Sequence, residues 1–497
     1  MPTTTTPAIG RFEPTWESLK TYRCPDWFRD AKLGFWAHWG PQAVPMVGDW
    51  YARHMYVEGH PQYLHHLRTY GHPSQVGYKD IVKLWRAERF DPERLIALYK
   101  AAGARYFTAM AVHHDNFDCW NSRHHRWNSV EVGPKQDIVG LWAKAARAAG
   151  LRFGVTEHLE RSYSWFGTNK GADRTGPRAG VPYDGNDPAY RDLYHEPHGD
   201  TNYGYPLHPP AAWVEQWSAR LRDLIDQYDP DLLYTDGGVP FGQAGLALIA
   251  HYYNRNCERR GGRLEAVYTL KDISRLHPNH GDYQEGIGVL DMERGVVDGI
   301  HPNPWQTDTC VGGWYYCSTL AYKTPGSVVA MLADIVSKNG NLLLNFPPRP
   351  DGTLDEQEEW LVGELGKWVA VNGEAIFSTR PWCVYGEGPT RLVGGAFAEK
   401  EKREFTAADF RFTTRGDALY AICLGRPTAA AGVKVAALGT AAAVGASGAG
   451  AAQVRAVSWL GVAAPPAWRQ EPDGLVVSVP ASLPGDYAWT LKVMLAG

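Results

Sequence analysis

Reactive side chains recur at one kind of place in this 497-residue sequence, directly behind or at the end of a short apolar run. His38 lies at the end of LGFWAHW, His113 and His114 follow YFTAMAV, Glu157 and His158 close LRFGVTEH, Asp236 closes DLLYTD, Glu293 closes GVLDME, and Asn345 lies near the end of NLLLNF. Asp236 is a carboxylate driven to the end of a hydrophobic run and followed by Gly237 and Gly238, which let backbone or ligand come close. That placement suits a nucleophile or a general base, although an Asp-Gly turn leaves the same trace. Cleavage of a glycosidic bond needs a second carboxyl group to protonate the leaving oxygen. Glu293 is the first candidate, Glu285 in DYQEG the second and Glu157 the third, and each could equally be a surface or ion-paired glutamate. His38, His113, His114, Asp115 and His158 have two chemistries open to them, hydrogen bonding to hydroxyl groups or ligation of zinc. Neighbouring strand residues point to opposite faces, so His113 and His114 share one metal only where the strand has broken. No HxH or HExxH spacing accompanies them, and neither a metal nor a cofactor is expected.

Such residues act together only if the chain gathers them. Short apolar runs alternate with helical patterns through the first three quarters of the sequence, the signature of βα units around a parallel sheet. Strand candidates are 33–39, 106–112, 151–157, 231–236, 265–270, 288–293 and 341–346, several apolar on both faces as buried parallel strands are. Trp213, Trp217, Leu221, Leu224, Ile225 and Tyr228 form one apolar helical stripe, and Ile138, Leu141, Trp142 and Ala145 another. Thr353 with Glu356 reads as a capping box opening a helix whose buried face is Leu361, Leu365 and Trp368 and which ends at Gly373. Seven strands and one unread strand fit an eight-stranded barrel, so the fold class is α/β, a (β/α)8-like barrel over residues 1–376; a doubly wound sheet shows the same alternation. In a barrel the strand ends share one mouth, which predicts a common pocket for the residues above. From about residue 379 short strands replace the helices: RLVGGAFA, FTAADFRFTT, ALYAICLG, GLVVSVP and YAWTLKVML predict an antiparallel β-sandwich over 377–497. The Ala/Gly-rich stretch 439–453 reads as a surface loop or weak edge of it.

Composition narrows the partners. A formal charge of −4 on so long a chain gives no basic surface for nucleic acid or an acidic membrane. The chain carries 20 Trp and 26 Tyr, whose rings serve equally as sugar-stacking faces and as core. Seven cysteines without a paired CxxC read as mostly free thiols. The N-terminal MPTTTTPAIGRFEPTW lacks the basic start and apolar run of a signal peptide, and no apolar stretch approaches ~18 residues, so the chain reads as soluble and cytoplasmic. A leader upstream of Met1 would instead make it periplasmic or secreted.

Four stretches resemble the motifs of glycoside hydrolase family 29, the α-L-fucosidases: WFRDAKLGFWAHWGPQAVPMVGDWY (27–51), YFTAMAVHHDNFDCWNSRHHRWNSVEVGPKQDIVG (106–140), PDLLYTDGG (230–238) and DIVSKNGNLLLNFPPRPDGTL (334–354). The resemblance spans most of residues 27–376. It implies a βα barrel followed by a β-sandwich, and a retaining, exo-acting hydrolase of terminal α-L-fucosides on oligosaccharides or glycoconjugates that needs no metal. Asp236 matches the family nucleophile. His38, His113 and His114 match residues that bind fucose hydroxyls, as do the aromatic positions Trp50 and Tyr234, and His158 is grouped with them as a binding residue. LDMERG resembles one version of the family's variable acid/base segment, favouring Glu293 and leaving Glu285 open. Asp49 stands where many relatives carry glutamate, and GVTEHLE replaces a more aromatic segment. These departures keep two other readings alive, a retaining enzyme for a galactose-like sugar of fucose configuration and a fucose-binding protein that has lost catalysis.

Overall fold

The computed structural model describes residues 11–200, 202, 204–272, 281–400, 404–430, 432–441 and 453–496. Most of the N-terminal stretch read for a leader, and most of the Ala/Gly-rich stretch 439–453, lie outside the described residues.

Eight parallel strands close into a barrel in chain order: β1 (Leu33–Ala37), β2 (Tyr106–Val112), β3 (Arg152–Glu157), β4 (Leu232–Thr235), β5 (Val267–Lys271), β6 (Val289–Asp291), β7 (Trp305–Cys310) and β8 (Gly340–Asn345), with β8 pairing back to β1. Their runs are apolar on both faces because one face fills the lumen while the other meets a helix. All seven strand candidates form barrel strands. The unread strand is β7, whose sequence WQTDTC places four polar residues between Trp305 and Cys310, so no hydrophobic run marks it. Polar partners stabilise it inside: Gln306 accepts from the Tyr106 hydroxyl (2.9 Å) and donates to Asp291 Oδ2 (2.7 Å).

The helix Ala211–Tyr228 buries its whole predicted stripe from Trp213 to Tyr228, each large side chain contributing about 1.5–3 kcal/mol over exposure. On the helix Ile138–Ala148, Ile138, Trp142 and Ala145 are buried and Leu141 is half-buried. Among the described residues no helix separates β6 from β7, so the barrel departs from strict alternation there. The last barrel helix, Glu356–Asn372, is capped two residues later than predicted. Asp355 accepts from the amides of Gln357 and Glu358, and Glu358 accepts in return from the Asp355 amide (3.1 Å). Thr353 is occupied in the preceding turn, where its amide and hydroxyl both donate to Asp351 Oδ1 (3.0 and 2.7 Å). Leu361, Leu365 and Trp368 are buried, and Gly373 caps the end.

Beyond the barrel come β9 (Arg380–Glu387), β10 (Phe410–Arg415), β11 (Ala418–Cys423), β12 (Val433–Val435), β13 (Val454–Trp459), β14 (Trp468–Glu471), β15 (Gly474–Val477) and β16 (Trp489–Leu495). They form two antiparallel sheets, of order β13-β16-β11-β10-β9 and β12-β15-β14. Strand β11 explains why ALYAIC shows no polar alternation. Leu419, Ala421 and Cys423 enter the core between the two sheets, and Ala418, Tyr420 and Ile422 join the core of the barrel side. Buried charges add to this seam: Asp334, on the helix Pro325–Ser337, holds Arg411 of β10 (2.5 Å) and Lys338 (2.9 Å). Of the predicted β segments RLVGGAFA alone is not a strand. Its two glycines and irregular backbone carry it away from the sheet, and Gly395 bridges to Val296 of the barrel. No described helix is long and apolar enough to cross a membrane.

Candidate active site

Strand ends converge on one pocket at the C-terminal mouth of the barrel, lined by Trp36, His38, Asp49, Trp50, His113, His114, His158, Arg161, Tyr234, Asp236, Lys271, Glu293, Asp308, Trp314 and Phe397. All eight predicted site residues are therefore in one place. The cavity volume is about 240 Å³, below the ~300–1,000 Å³ of sites for drug-sized molecules, so it suits a single sugar ring.

Asp236 follows directly on β4, and four side chains converge on its carboxylate. Lys271 Nζ (2.8 Å) and the Tyr234 hydroxyl (3.2 Å) reach Oδ1, while Arg161 Nη2 (3.1 Å) and His158 Nδ1 (3.4 Å) reach Oδ2. Gly238 is required for a backbone reason: a Cβ there would collide with the carbonyl of Asp282, whose strand-like bridge to Val239 braces the turn after Asp236. Lys271, the last residue of β5, also contacts Glu293 Oε2 (2.6 Å) and Asp308 Oδ2 (3.4 Å). One ammonium thus links two carboxylates. Sharing one ammonium keeps Asp236 Oδ1 and Glu293 Oε2 no further apart than its two contacts laid end to end, close enough to act on one glycosidic bond.

The two carboxyls are tuned in opposite directions. Burial alone would raise Asp236, but Arg161, Lys271 and His158 more than reverse it, and the group lies well below the usual carboxylate range. Burial raises Glu293 too; there Lys271 opposes the rise, Asp308 and Asp236 reinforce it, and the net shift is upward. The environment thus favours the ionised form of Asp236 and shifts Glu293 toward its protonated form. Lys271, despite burial, is kept charged by the carboxylates around it. Behind it, burial and Asp308 push Asp291 well above the usual range. Asp49, half-buried at the rim, is raised to about 7, chiefly by burial.

Burial, first among the causes, lowers the pKa values of His38, His113, His114 and His158, so their rings are neutral at pH 7. Their tautomers follow from their partners. Gln42 Oε1 accepts from the Ala52 amide (3.2 Å), which orients the side chain so that Nε2 donates to His113 Nδ1 (2.9 Å). His113 therefore carries its proton on Nε2. His114 Nδ1 donates to the His158 carbonyl (2.6 Å), leaving Nε2, 3.7 Å from Asp236 Oδ2, as an acceptor. The pair presents one donor and one acceptor, matching the two roles of a hydroxyl group. Strand geometry would send one ring away, but β2 ends at Val112 after an irregular register and Asn116 takes a left-handed backbone (φ 61°), so both rings reach the pocket, with centroids 4.2 Å apart. His38 Nδ1 is buried with no hydrogen-bond partner among the described residues. Phe117 and Trp120, a few residues beyond this pair, are fully buried in the barrel core.

The other two glutamate candidates fall elsewhere. Glu157, at the end of β3, accepts from Thr235 Oγ1 (3.0 Å) and the Leu159 amide (3.1 Å), fully buried away from the pocket. Glu285 is exposed ahead of β6, at the opposite end of that strand from the mouth, and accepts from Asn303 (2.8 Å), which precedes β7. Sequence reading missed Trp36, Arg161, Lys271, Asp308, Trp314 and Phe397. Trp36 is two residues before His38, on the same side of the run, and Lys271 is one residue past the end assigned to its strand; both carried a signal. Asp308 was hidden in polar β7, and Phe397 arrives from the other domain. Two groups of pocket side chains could hold a metal ion, His38 with His113 and His158, and His114 with His158 and Asp236. In both, the donors are the neutral imidazoles and carboxylate already described.

The family model for α-L-fucosidase matches residues 1–374. Human tissue α-L-fucosidase is 27% identical over 97% of this chain and 92% of its own length, and human plasma α-L-fucosidase is 28% identical over 85% and 83%. A Thermotoga maritima α-fucosidase solved in complex with fucose has a TM-score of 0.73 and 25% identity, covering 97% of this chain and all of its own. With its barrel, its β-domain and a sugar-sized pocket holding two oppositely tuned carboxyls, this chain belongs to the α-L-fucosidase family of glycoside hydrolases.

Proposed function

We propose that the protein is a retaining, exo-acting α-L-fucosidase that releases terminal fucose from oligosaccharides or glycoconjugates, with Asp236 as nucleophile and Glu293 as acid/base. The observation that carries this reading is Lys271 bridging two carboxylates of opposite tuning. Ionised Asp236 attacks the anomeric carbon as the bond to the leaving oxygen breaks, and Glu293 gives that oxygen its proton. The product of this step is a fucosyl ester of Asp236. Glu293, now ionised, takes a proton from water as the water oxygen attacks the same carbon, and the ester bond breaks to return Asp236 and release fucose with its configuration retained. Neutral His38, His113 and His114 hydrogen-bond the sugar hydroxyls without adding charge, His158 and Tyr234 touch both sugar and nucleophile, and Trp50 supplies an apolar wall. The cavity accepts one sugar ring, which supports removal from chain ends rather than internal cleavage.

The test is hydrolysis of nitrophenyl glycosides by the wild type and by Asp236→Gly. The wild type turns over the α-L-fucoside in preference to galactosides, with or without EDTA, and releases α-fucose first. Asp236→Gly falls to background, and added azide restores nitrophenol release with formation of β-fucosyl azide, because azide attacks from the face the missing carboxylate used. Normal turnover by Asp236→Gly, or first release of β-fucose, overturns the assignment.

A further inference from the structure

Between β9 and β10 the chain leaves the C-terminal domain and runs to the mouth of the barrel. There it lies along the loop that follows β6. The amides of Gly394, Gly395, Phe397 and Glu399 donate in turn to Asp298 Oδ1 (3.0 Å) and to the carbonyls of Val296 (2.8 Å), Glu293 (2.8 Å) and Arg294 (3.1 Å). The two backbones pass so closely that Gly295 has no room for a Cβ against the Gly395 carbonyl. The Glu399 carboxylate locks the end of this run by accepting from Thr309 Oγ1 (2.9 Å) and pairing with Lys323 (3.2 Å) and Arg294 (3.4 Å).

Phe397 is the residue this arrangement displays. Its backbone is left-handed (φ 59°), a costly conformation for a bulky side chain, and its ring lines the pocket while 37% exposed. Nothing in packing the two domains calls for an exposed aromatic there. Its amide is bonded to the backbone carbonyl of Glu293, and the Phe397 and Glu293 side chains line the same pocket. Whatever is attached to the oxygen that Glu293 protonates must lie on the Glu293 side of the pocket.

We propose that residues 393–399 of the C-terminal domain build the leaving-group subsite, with Phe397 as a platform for the apolar face of a pyranose residue next to the fucose. This rests on the reading of Glu293 as acid/base. An aromatic face and the C–H face of a sugar ring bury each other's apolar surface without demanding a particular linkage. The barrel then recognises fucose, and the β-domain recognises what carries it.

The test compares kcat/KM for a fucosyl disaccharide with kcat/KM for α-L-fucosyl fluoride, whose leaving group has no face to stack. Phe397→Ala lowers the disaccharide-to-fluoride ratio about tenfold, and Phe397→Trp keeps it within about twofold. An unchanged ratio in Phe397→Ala overturns the platform, as does a wild type that cleaves the fluoride but no fucosyl disaccharide. In Phe397→Ala and in Glu399→Gln, which loosens the lock but leaves the ring in place chemically, methyl α-L-fucoside, whose leaving group needs the same proton but has no ring to stack, loses less than the disaccharide; an equal loss on both would make the segment a support for Glu293 only and sink the subsite. A wild type that cleaves neither substrate overturns the fucosidase reading itself.

Discussion

The two halves of the barrel mouth are built by different means. On the side of β1 to β4 neutral imidazoles and the strongly ionised Asp236 follow apolar strands, with Arg161 beside the carboxylate. On the side of β5 to β8 the groups are a buried cation among carboxyls, Lys271 with Glu293, Asp291 and Asp308, and β6 is only three residues long. A segment of the C-terminal domain shores up that second side through the backbone of 293–298. In the first half the imidazoles and Asp236 keep their protonation states across the neutral range and are suited to recognition, while Asp49 at the rim titrates within it. The second half contains the proton that moves. Substitutions in the two halves should therefore fail in different ways, and that difference can be measured.

The largest effect within the second half is expected for Glu293→Gln. Glutamine keeps the shape but has no proton to give, so fucosides with poor leaving groups lose about 10²–10⁴-fold in kcat/KM. A fucosyl fluoride, whose departure needs little protonation, loses much less. The sign of the pH dependence follows from the shift: Glu293 is raised, acts protonated, and fails as pH rises through its pKa, giving the basic limb of the wild-type profile. That limb vanishes in Glu293→Gln. A basic limb that persists unchanged would assign it to another group.

Lys271→Met comes next, at about 10²-fold in kcat/KM at neutral pH. Lys271 lowers both Asp236 and Glu293, so its loss raises both, and the pair titrates as a unit. Asp236 must be ionised to act, so its acidic limb moves to higher pH; Glu293 must be protonated, so its basic limb moves the same way. A profile that loses height without moving would show that Lys271 is structural support rather than the charge that sets the pair. Fluoride substrates separate the two limbs further, because they depend on Asp236 and barely on Glu293.

The same contrast decides what was legible in the sequence. His38, His113, His114, His158 and Asp236 stand at or just past the ends of LGFWA, YFTAMAV, RFGVTE and LLYT, where hydrophobic runs announce the strand and so its end. The eightfold closure was legible for the same reason, from seven such runs. Across the mouth the strands carry charge inside the barrel, and the hydrophobic signal fades with them. WQTDTC shows no run, Lys271 fell one residue beyond one, and nothing local to RLVGGAFA tells a strand from a segment that crosses to another domain. Glu285 remained a rival to Glu293 because the family resemblance left the acid/base segment open, although the strand candidate 288–293 already put Glu285 ahead of β6 and so at the far end of the barrel. ALYAIC was legible as a strand and forms β11; with a core on each face it has no alternation to read.

The smallest effect sharpens the first half. His113→Phe keeps a ring in place but removes the Nε2 proton, which the bond from Gln42 fixes as a donor, and it strands the Gln42 amide. One hydroxyl loses its partner, which predicts about a tenfold rise in KM and in the inhibition constant of free fucose, near the ~1.4 kcal/mol of one net hydrogen bond. Because burial keeps the His113 ring neutral well below its ordinary pKa, titration of this ring adds no inflection near pH 6.5, where an exposed histidine titrates, to the wild-type affinity for fucose. The variant therefore runs parallel to the wild type across pH, lower by the same factor, while both limbs of its kcat/KM profile stay where they were. Were a limb to move in His113→Phe, the imidazoles would belong to the proton-handling network after all, and the division of the mouth into a recognition half and a titrating half would fail.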